Sequence, residues 1–169
     1  MSRISPVPRS ELPENLASAL ERGLASGMLS SSVPIQVWAH RPEIAHAWLS
    51  LLEQFHVKGL LTARLKELVR LKIAGITTCK ACQLARKSDE VSEEDIACLG
   101  ADSDHFSESE RVALRYAELF AGDYMAVDDL HYEALAQFFN LAEITELNMY
   151  CALMLAGGRM TFVQQAYES

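Results

Sequence analysis

The chain has 169 residues, of which 50% are apolar and 22% charged, and its net charge is −8. This is the composition of a globular protein long enough to bury a core. The negative charge, with no run rich in lysine or arginine, argues against nucleic acid or an anionic membrane surface as a partner. No stretch resembles a secretory signal or approaches the about 18 apolar residues of a membrane span. We therefore expect a cytoplasmic protein, whose thiols stay reduced unless they take part in chemistry.

Helical periodicity begins after a proline-rich arm. A short helix is predicted from Pro13 to about Gly23, followed by a loop. A second helix is predicted from Pro42, a residue favoured in a first turn, to Gly59. Its apolar residues recur on one face, as in an amphipathic helix: Ile44, Trp48, Leu51, Leu52 and Phe55.

The middle of the chain carries three further helix starts. Thr62 can cap a helix, and the apolar residues after it share one face: Leu65, Leu68, Val69, Ile73 and Ile76. Ser92 is a cap with Gly100 as the stop. The sequence SESE, beginning at Ser107, matches a capping box and predicts a helix to Gly122.

The last third predicts helices over Leu130–Phe139 and over Leu141 to about Gly157, with the pattern resuming through Val163. The sequence has no convincing alternating strand and no hairpin dipeptide between alternating runs. We therefore predict an all-α protein of seven or eight helices.

Two segments of the chain share a weak similarity. ELVRLKIAGITTCKACQLA, from Glu67, aligns with ELNMYCALMLAGGRMTFVQQA, from Glu146. At the cysteine positions of the first segment, the second has Gly158 and Thr161. Two helical repeats, of which only the first carries chemistry, would explain the similarity, and so would shared apolar periodicity.

The segment ITTCKACQLAR contains Cys79 and Cys82. Gly75 is a poor helix-interior residue and Thr77–Thr78 offers a cap, so a new helix is expected to start near Cys79. Cysteines at i and i+3 lie on one face and can close a disulfide. A thiol in a first helical turn is favoured as thiolate, and Lys80 and Arg86 add positive charge nearby.

Other roles for the two cysteines fit less well. A zinc site usually has four ligands, and the chain has neither a second CxxC nor a His pair. Cys98 and Cys151 are expected to be buried apolar residues, as Cys79 and Cys82 themselves could be. A thioredoxin-like motif requires a βαβ context, which is missing. A redox pair on an all-α scaffold is favoured.

Glu67 is the second candidate residue. Its helical neighbours Leu71 and Ala74 are apolar, and a carboxylate in such surroundings is a useful proton acceptor near neutral pH. The alternative is an ordinary glutamate paired with Arg70 or Arg64. Twelve residues of straight helix span about 18 Å, so Glu67 can cooperate with the cysteines only if the chain folds back between them.

These residues resemble a known family. The segments AHRPEIAHAWLSLLEQF and GLLTARLKELVRLKIAGITTCKACQLAR are similar to the alkylhydroperoxidase AhpD-like family, also called the carboxymuconolactone decarboxylase family. The most specific feature is a glutamate twelve residues before CxxC, met by Glu67, Cys79 and Cys82. In the redox branch a histidine lies four residues after the second cysteine, where this chain has Arg86. Ala81 stands where the best-described members often have another histidine.

The resemblance implies a single AhpD-like domain over residues 1–169, with an arm and short helix over 1–35 and the family core over about 36–160. It implies internal duplication and assembly as trimers or hexamers. Cys82 would be the peroxidatic thiolate that attacks a hydroperoxide, and Cys79 would resolve the sulfenic acid as a disulfide. An external dithiol would reduce that disulfide, with no bound cofactor or metal. Glu67 would draw off the thiol proton through a relay containing the histidine.

Arg86 departs from this pattern, because an arginine can stabilise a thiolate but does not release a proton at cellular pH. His105 and His131 are too distant in sequence to be placed in the relay. We therefore expect a peroxiredoxin-type antioxidant peroxidase weaker than, or different in substrate from, members with the histidine. The alternatives are a decarboxylase, which has no need of two thiols, and a non-catalytic oligomeric protein that binds a ligand or senses redox state.

Overall fold

The computed structural model describes residues 2–100 and 104–167, including every side chain in these ranges except those of Lys80 and Ala81. The described residues form nine α-helices: α1 (Glu14–Ala25), α2 (Val33–Trp38), α3 (Pro42–Val57), α4 (Ala63–Ile76), α5 (Lys80–Leu84), α6 (Glu93–Cys98), α7 (Glu108–Gly122), α8 (Asp129–Ala136) and α9 (Leu141–Gln164). Short 3-10 turns lie at Arg9–Glu11 and Tyr124–Ala126. No strand occurs in these residues, so the all-α prediction is confirmed.

The count of nine differs from the predicted seven or eight because α2 was not predicted. Its six residues are too few to show a helical period, yet Ile35 and Val37 are buried. The predicted break in α9 is also absent, since the helix continues through Gly157 and Gly158 to Gln164. Across the described helices, none is long and apolar enough to cross a membrane.

The predicted helix caps at Thr62, Ser92 and Ser107 are confirmed. The Thr62 hydroxyl accepts a hydrogen bond from the amide of Leu65 at the start of α4. Ser92 and Ser107 each form a complete capping box, at the starts of α6 and α7. The two boxes satisfy amides that a helix start otherwise leaves without partners.

The chain divides into two compact units, and the first runs through Gly59 and adds the residues from Met160 onward. Its core is formed by α1, α2 and α3, whose inward side chains include Leu16, Leu20, Ile35 and Leu49. Trp38 and Trp48 pack edge to face, and the indole N–H of Trp38 donates to Gln164.

The second unit spans Leu60–Arg159, and α4 is its central helix. Eight of the fourteen residues of α4 are buried, on more than one face. Residues of α4 and of the segments around it form a shared apolar cluster: Leu68, Leu71, Val91, Leu99, Phe106 and Leu114. A polar side chain on α4 is therefore held inside the protein and must find its partners there. The single domain expected over residues 1–169 stays a prediction.

Candidate functional site

A sharp turn between α4 and α5 brings the cysteines back along α4. Thr78, in this turn, has a φ of 53°, the left-handed conformation that closes a helix. The amide of Cys79 donates to the carbonyl of Ala74 (3.2 Å), and the Gln83 side chain donates to the same carbonyl (3.1 Å). The chain therefore folds back between Glu67 and the cysteines, as their cooperation requires.

Thr77 has a different role from the one predicted. It was expected to help cap the helix of the cysteines, but its hydroxyl donates to the carbonyl of Ile73 (2.9 Å) at the end of α4. The new helix nevertheless starts where it was expected, at Lys80, directly after Cys79.

Cys79 and Cys82 form a disulfide, with Cα atoms 5.2 Å apart. The two cysteines differ in exposure, since Cys79 is 0% exposed and Cys82 is half-buried. Solvent and small solutes therefore reach Cys82 more readily than Cys79. The side chains of Lys80, expected to add positive charge, and of Ala81 lie outside the described part of the chain.

Glu67 and Arg70 form a buried ion pair on α4. Glu67 is 1% exposed and Arg70 is 8% exposed. Arg70 Nε donates to Glu67 Oε2 and Arg70 Nη2 donates to Glu67 Oε1, both at 2.7 Å. This parallel arrangement is the strongest way for arginine to bind a carboxylate. Both features considered for Glu67 are present together, an apolar setting and a pairing with Arg70.

The same pair reaches the segment that carries the cysteines. Arg70 Nη1 donates to the carbonyl oxygen of Cys82 (2.6 Å), and Arg70 Nη2 donates to that of Ala85 (2.7 Å). Glu67 Oε1 also accepts from the amide of Lys87 (3.0 Å). Three backbone groups that follow the disulfide are thus fixed to α4 by two side chains.

Burial around the Glu67–Arg70 pair shifts the pKa values of nearby residues. Burial and, to a smaller extent, the charge of Arg70 lower the pKa of Lys87 to about 8, against the opposing effect of the Glu67 charge. Burial raises the pKa of Tyr150, on α9, above its usual range, and the same two charges act on it. Both residues thus lie close to the Glu67–Arg70 pair.

No protein-family model and no curated protein sequence matches the chain. Solved structures, in contrast, do match the chain. The debrominase Bmp8, as a cysteine-to-alanine variant in complex with 2,3,4-tribromopyrrole, has a TM-score of 0.82 at 17% identity, over 98% of this chain and 91% of that one. An alkylhydroperoxidase AhpD core, an uncharacterized peroxidase-related protein from Ralstonia eutropha JMP134, has a TM-score of 0.71 at 19% identity, over 99% and 92%.

This chain has the AhpD-like fold. A protein of unknown function from Agrobacterium tumefaciens is also similar, with a TM-score of 0.68 at 20% identity over 77% of this chain and 93% of that one. The AhpD-like fold predicted from the residues around the CxxC motif is therefore confirmed.

Within the AhpD-like fold, Arg86 points toward α6. Its guanidinium pairs with Glu93, with Nη2 to Oε1 at 2.9 Å, and Nη1 donates to the carbonyl of Gln83 (2.5 Å). Two of the histidines have carboxylate partners elsewhere: His105 contacts Asp95 (2.9 Å) and His131 contacts Asp128 (2.6 Å). The position at which the family resemblance places a histidine is thus occupied by an arginine that pairs with the carboxylate of Glu93.

The other two cysteines are not part of this site. Cys151 is buried in α9, and burial raises the pKa of its thiol to about 12, so it stays a neutral thiol. Cys98 is partly buried and packs against the apolar cluster around α4. Both fit the expectation of apolar packing, which leaves Cys79 and Cys82 as the candidate reactive pair.

The contacts of Arg70 with the segment of the cysteines were not predicted from the sequence. Its spacing of three residues from Glu67 indicated an ion pair, but not that the same guanidinium would also bind two carbonyls after the cysteines. The Lys87 amide was missed because a backbone donor leaves no signature in the sequence. The signal that could have suggested these backbone contacts is an arginine buried beside a glutamate on a central helix.

Proposed function

We propose that this protein is a thiol oxidoreductase that reduces hydroperoxides through Cys82 and Cys79. The supporting observation is the unequal exposure of the two cysteines at disulfide distance on an AhpD-like fold. The half-buried Cys82 can meet a substrate, while the buried Cys79 can act only on what forms at Cys82. The difference in access supports attack at Cys82 and resolution by Cys79.

The proposed cycle has three balanced steps. The Cys82 thiolate attacks the terminal oxygen of a hydroperoxide, which breaks the O–O bond, gives a sulfenic acid and releases an alkoxide that takes a proton. The Cys79 thiol then displaces the hydroxyl group as water and forms the disulfide. An external dithiol reduces the disulfide by exchange and is itself oxidised. The relay role that the family resemblance implies for Glu67 stays a prediction.

Counting thiols after one equivalent of hydroperoxide tests this proposal. We expect the wild type to lose two thiols and Cys79→Ser to trap a sulfenic acid at Cys82. Cys82→Ser should keep its thiols, and Cys98→Ser, in which the pair is intact, should still lose two. Steady consumption of peroxide with a dithiol would separate an enzyme from a redox sensor. An unchanged thiol count in the wild type would contradict both roles.

Reductive debromination is a second candidate, supported by the structural likeness to the debrominase Bmp8. Replacing a C–Br bond by C–H needs two electrons, which a dithiol supplies: an aryl bromide and two thiols give the arene, a disulfide and hydrogen bromide. The same cysteine pair could carry out this reaction. Bromide release from 2,3,4-tribromopyrrole, measured beside peroxide consumption with the same dithiol, decides between the two substrates.

A further inference from the structure

The short helix α5 depends on contacts with α4 for its position. A helix of five residues is too short to be stable alone, and the carbonyls of its last turn have no partners within the helix. The carbonyl of Cys82 is one of these, and its partner is Arg70. The start of the segment is held by the Cys79 amide on the Ala74 carbonyl. The disulfide therefore lies between two attachments to the same helix.

Arg70 can make these bonds only because Glu67 orients it. Two of the guanidinium donors bind the Glu67 carboxylate, which fixes the plane of the group and leaves donors directed at the carbonyls of Cys82 and Ala85. The carboxylate also cancels the positive charge. The pair thus acts on the cysteines mainly through geometry, since its net charge is zero.

We propose that Arg70, oriented by Glu67, is the positioning residue of the Cys79–Cys82 pair, and that its bonds to the backbone after Cys82 set how readily the two thiols close into a disulfide. The inference rests on the proposed thiol oxidoreductase function. In the reduced protein, these bonds keep α5 against α4, so the thiols stay adjacent and disulfide closure costs little further ordering. Without them, the reduced segment gains freedom that the disulfide must remove.

The test is the thiol–disulfide equilibrium of the pair in a dithiothreitol buffer, which needs no peroxide or turnover. In Arg70→Lys the charge is kept but the planar fork is lost. Freeing even one residue of α5 in the reduced state corresponds to about a tenfold fall in the equilibrium constant for closure. We therefore expect a fall of about tenfold or more.

Arg64→Lys is the matched control. Arg64 also lies on α4 and binds Asp95, Glu110 and the carbonyl of Glu90 through its guanidinium, but these partners are not part of α5. Arg64→Lys should lose stability, as Arg70→Lys does, but it should leave the thiol–disulfide equilibrium constant unchanged. Equal equilibrium constants in Arg70→Lys and the wild type, or an equal fall in Arg64→Lys, would overturn the positioning role.

If Arg70→Lys does not fold, the double variant Glu67→Leu, Arg70→Met replaces the ion pair by apolar side chains, a change that proteins often tolerate. It should show the same fall in the equilibrium constant, and a wild-type value would overturn the proposal. A wild type that forms no disulfide in any buffer would instead contradict the proposed function.

Glu67→Gln separates positioning from proton transfer. The variant leaves the Arg70 charge uncancelled beside Cys82, which favours the thiolate, so the rate of peroxide reduction at pH 7 should stay within about threefold of the wild type or rise. A proton acceptor would behave differently, because its loss should lower that rate by about a hundredfold or more. That second result would overturn the positioning role of Glu67.

Discussion

Arg86 lies at a position where the family resemblance and the structure give different pictures. The family resemblance places a histidine there, whereas the guanidinium binds Glu93 and the carbonyl of Gln83. An arginine in this position can hold the end of α5 but cannot pass on a proton. Glu67 differs from it, since its partners Arg70 and the Lys87 amide belong to the interior.

Arg86→His is expected to raise the rate of peroxide reduction by about tenfold or more, because a histidine can exchange protons near neutral pH. The lost pair with Glu93 is exposed, so stability should change by less than about 1 kcal/mol. Stopped-flow peroxide consumption measures the rate.

Arg111→His is the matched control for this substitution. Arg111 has a side-chain exposure of 33%, against 34% for Arg86, and it too pairs with one carboxylate, that of Asp104. It should leave the rate unchanged. A rate in Arg86→His equal to that of the wild type would mean that no histidine relay operates at this position.

At the scale of elements, α4 organises the second unit through two arginines. Arg64, in its first turn, binds Asp95 of α6 and Glu110 of α7, and Arg70, further along, binds the segment of α5. Asp95 is buried and also accepts from the amide and hydroxyl of Ser92. The hydrogen bond from Arg64 is the largest of the effects that hold the pKa of Asp95 well below its usual range.

Asp95→Asn is expected to cost about 1 to 3 kcal/mol of unfolding free energy at pH 7, because a neutral amide replaces the buried carboxylate that Arg64 and Ser92 bind, while Arg64 keeps its pair with Glu110. A carboxyl whose pKa is lowered by folding stabilises the protein above its unfolded value of 3.8, and this contribution is lost as the pH falls. The difference between variant and wild type should therefore shrink below about pH 4.

Urea denaturation of Asp95→Asn and the wild type measures the difference in unfolding free energy at pH 7 and at pH 3. Asp104→Asn is the control, since Asp104 pairs with Arg111 at a fully exposed position and should change stability little at either pH. A difference for Asp95→Asn that is as large at pH 3 as at pH 7 would exclude the ion pair as its source.

At the scale of the whole molecule, large apolar side chains remain exposed. Within the 3-10 turn at Tyr124–Ala126 and the start of α8, Tyr124 and Leu130 are each 69% exposed and Met125 is 78% exposed. Three such residues within seven positions make this segment a candidate for a protein–protein interface. This agrees with the expected assembly into trimers or hexamers, which stays a prediction.

The double variant Met125→Glu, Leu130→Glu is expected to shift the protein toward the monomer, because charges placed in an interface must be desolvated without partners. Sedimentation velocity at several protein concentrations measures this shift. Val57→Glu, at an exposed apolar residue of the first unit, is the control and should not change the assembly. An unchanged oligomer in the double variant would exclude this surface as the interface.

The sequence by itself determined the helical class and most helix boundaries, and it favoured a pairing of Cys79 with Cys82 over other roles, because periodicity, caps and i, i+3 spacing are local. It did not reveal α2, whose six residues have no measurable period and are helical because Ile35 and Val37 are buried. The i, i+3 spacing allowed an ion pair between Glu67 and Arg70, but only the tertiary structure decided that this pair is buried and that Arg70 also binds the backbone of the cysteine segment. Those contacts depend on the turn at Thr78 and on burial of α4 by distant elements, which no local pattern records.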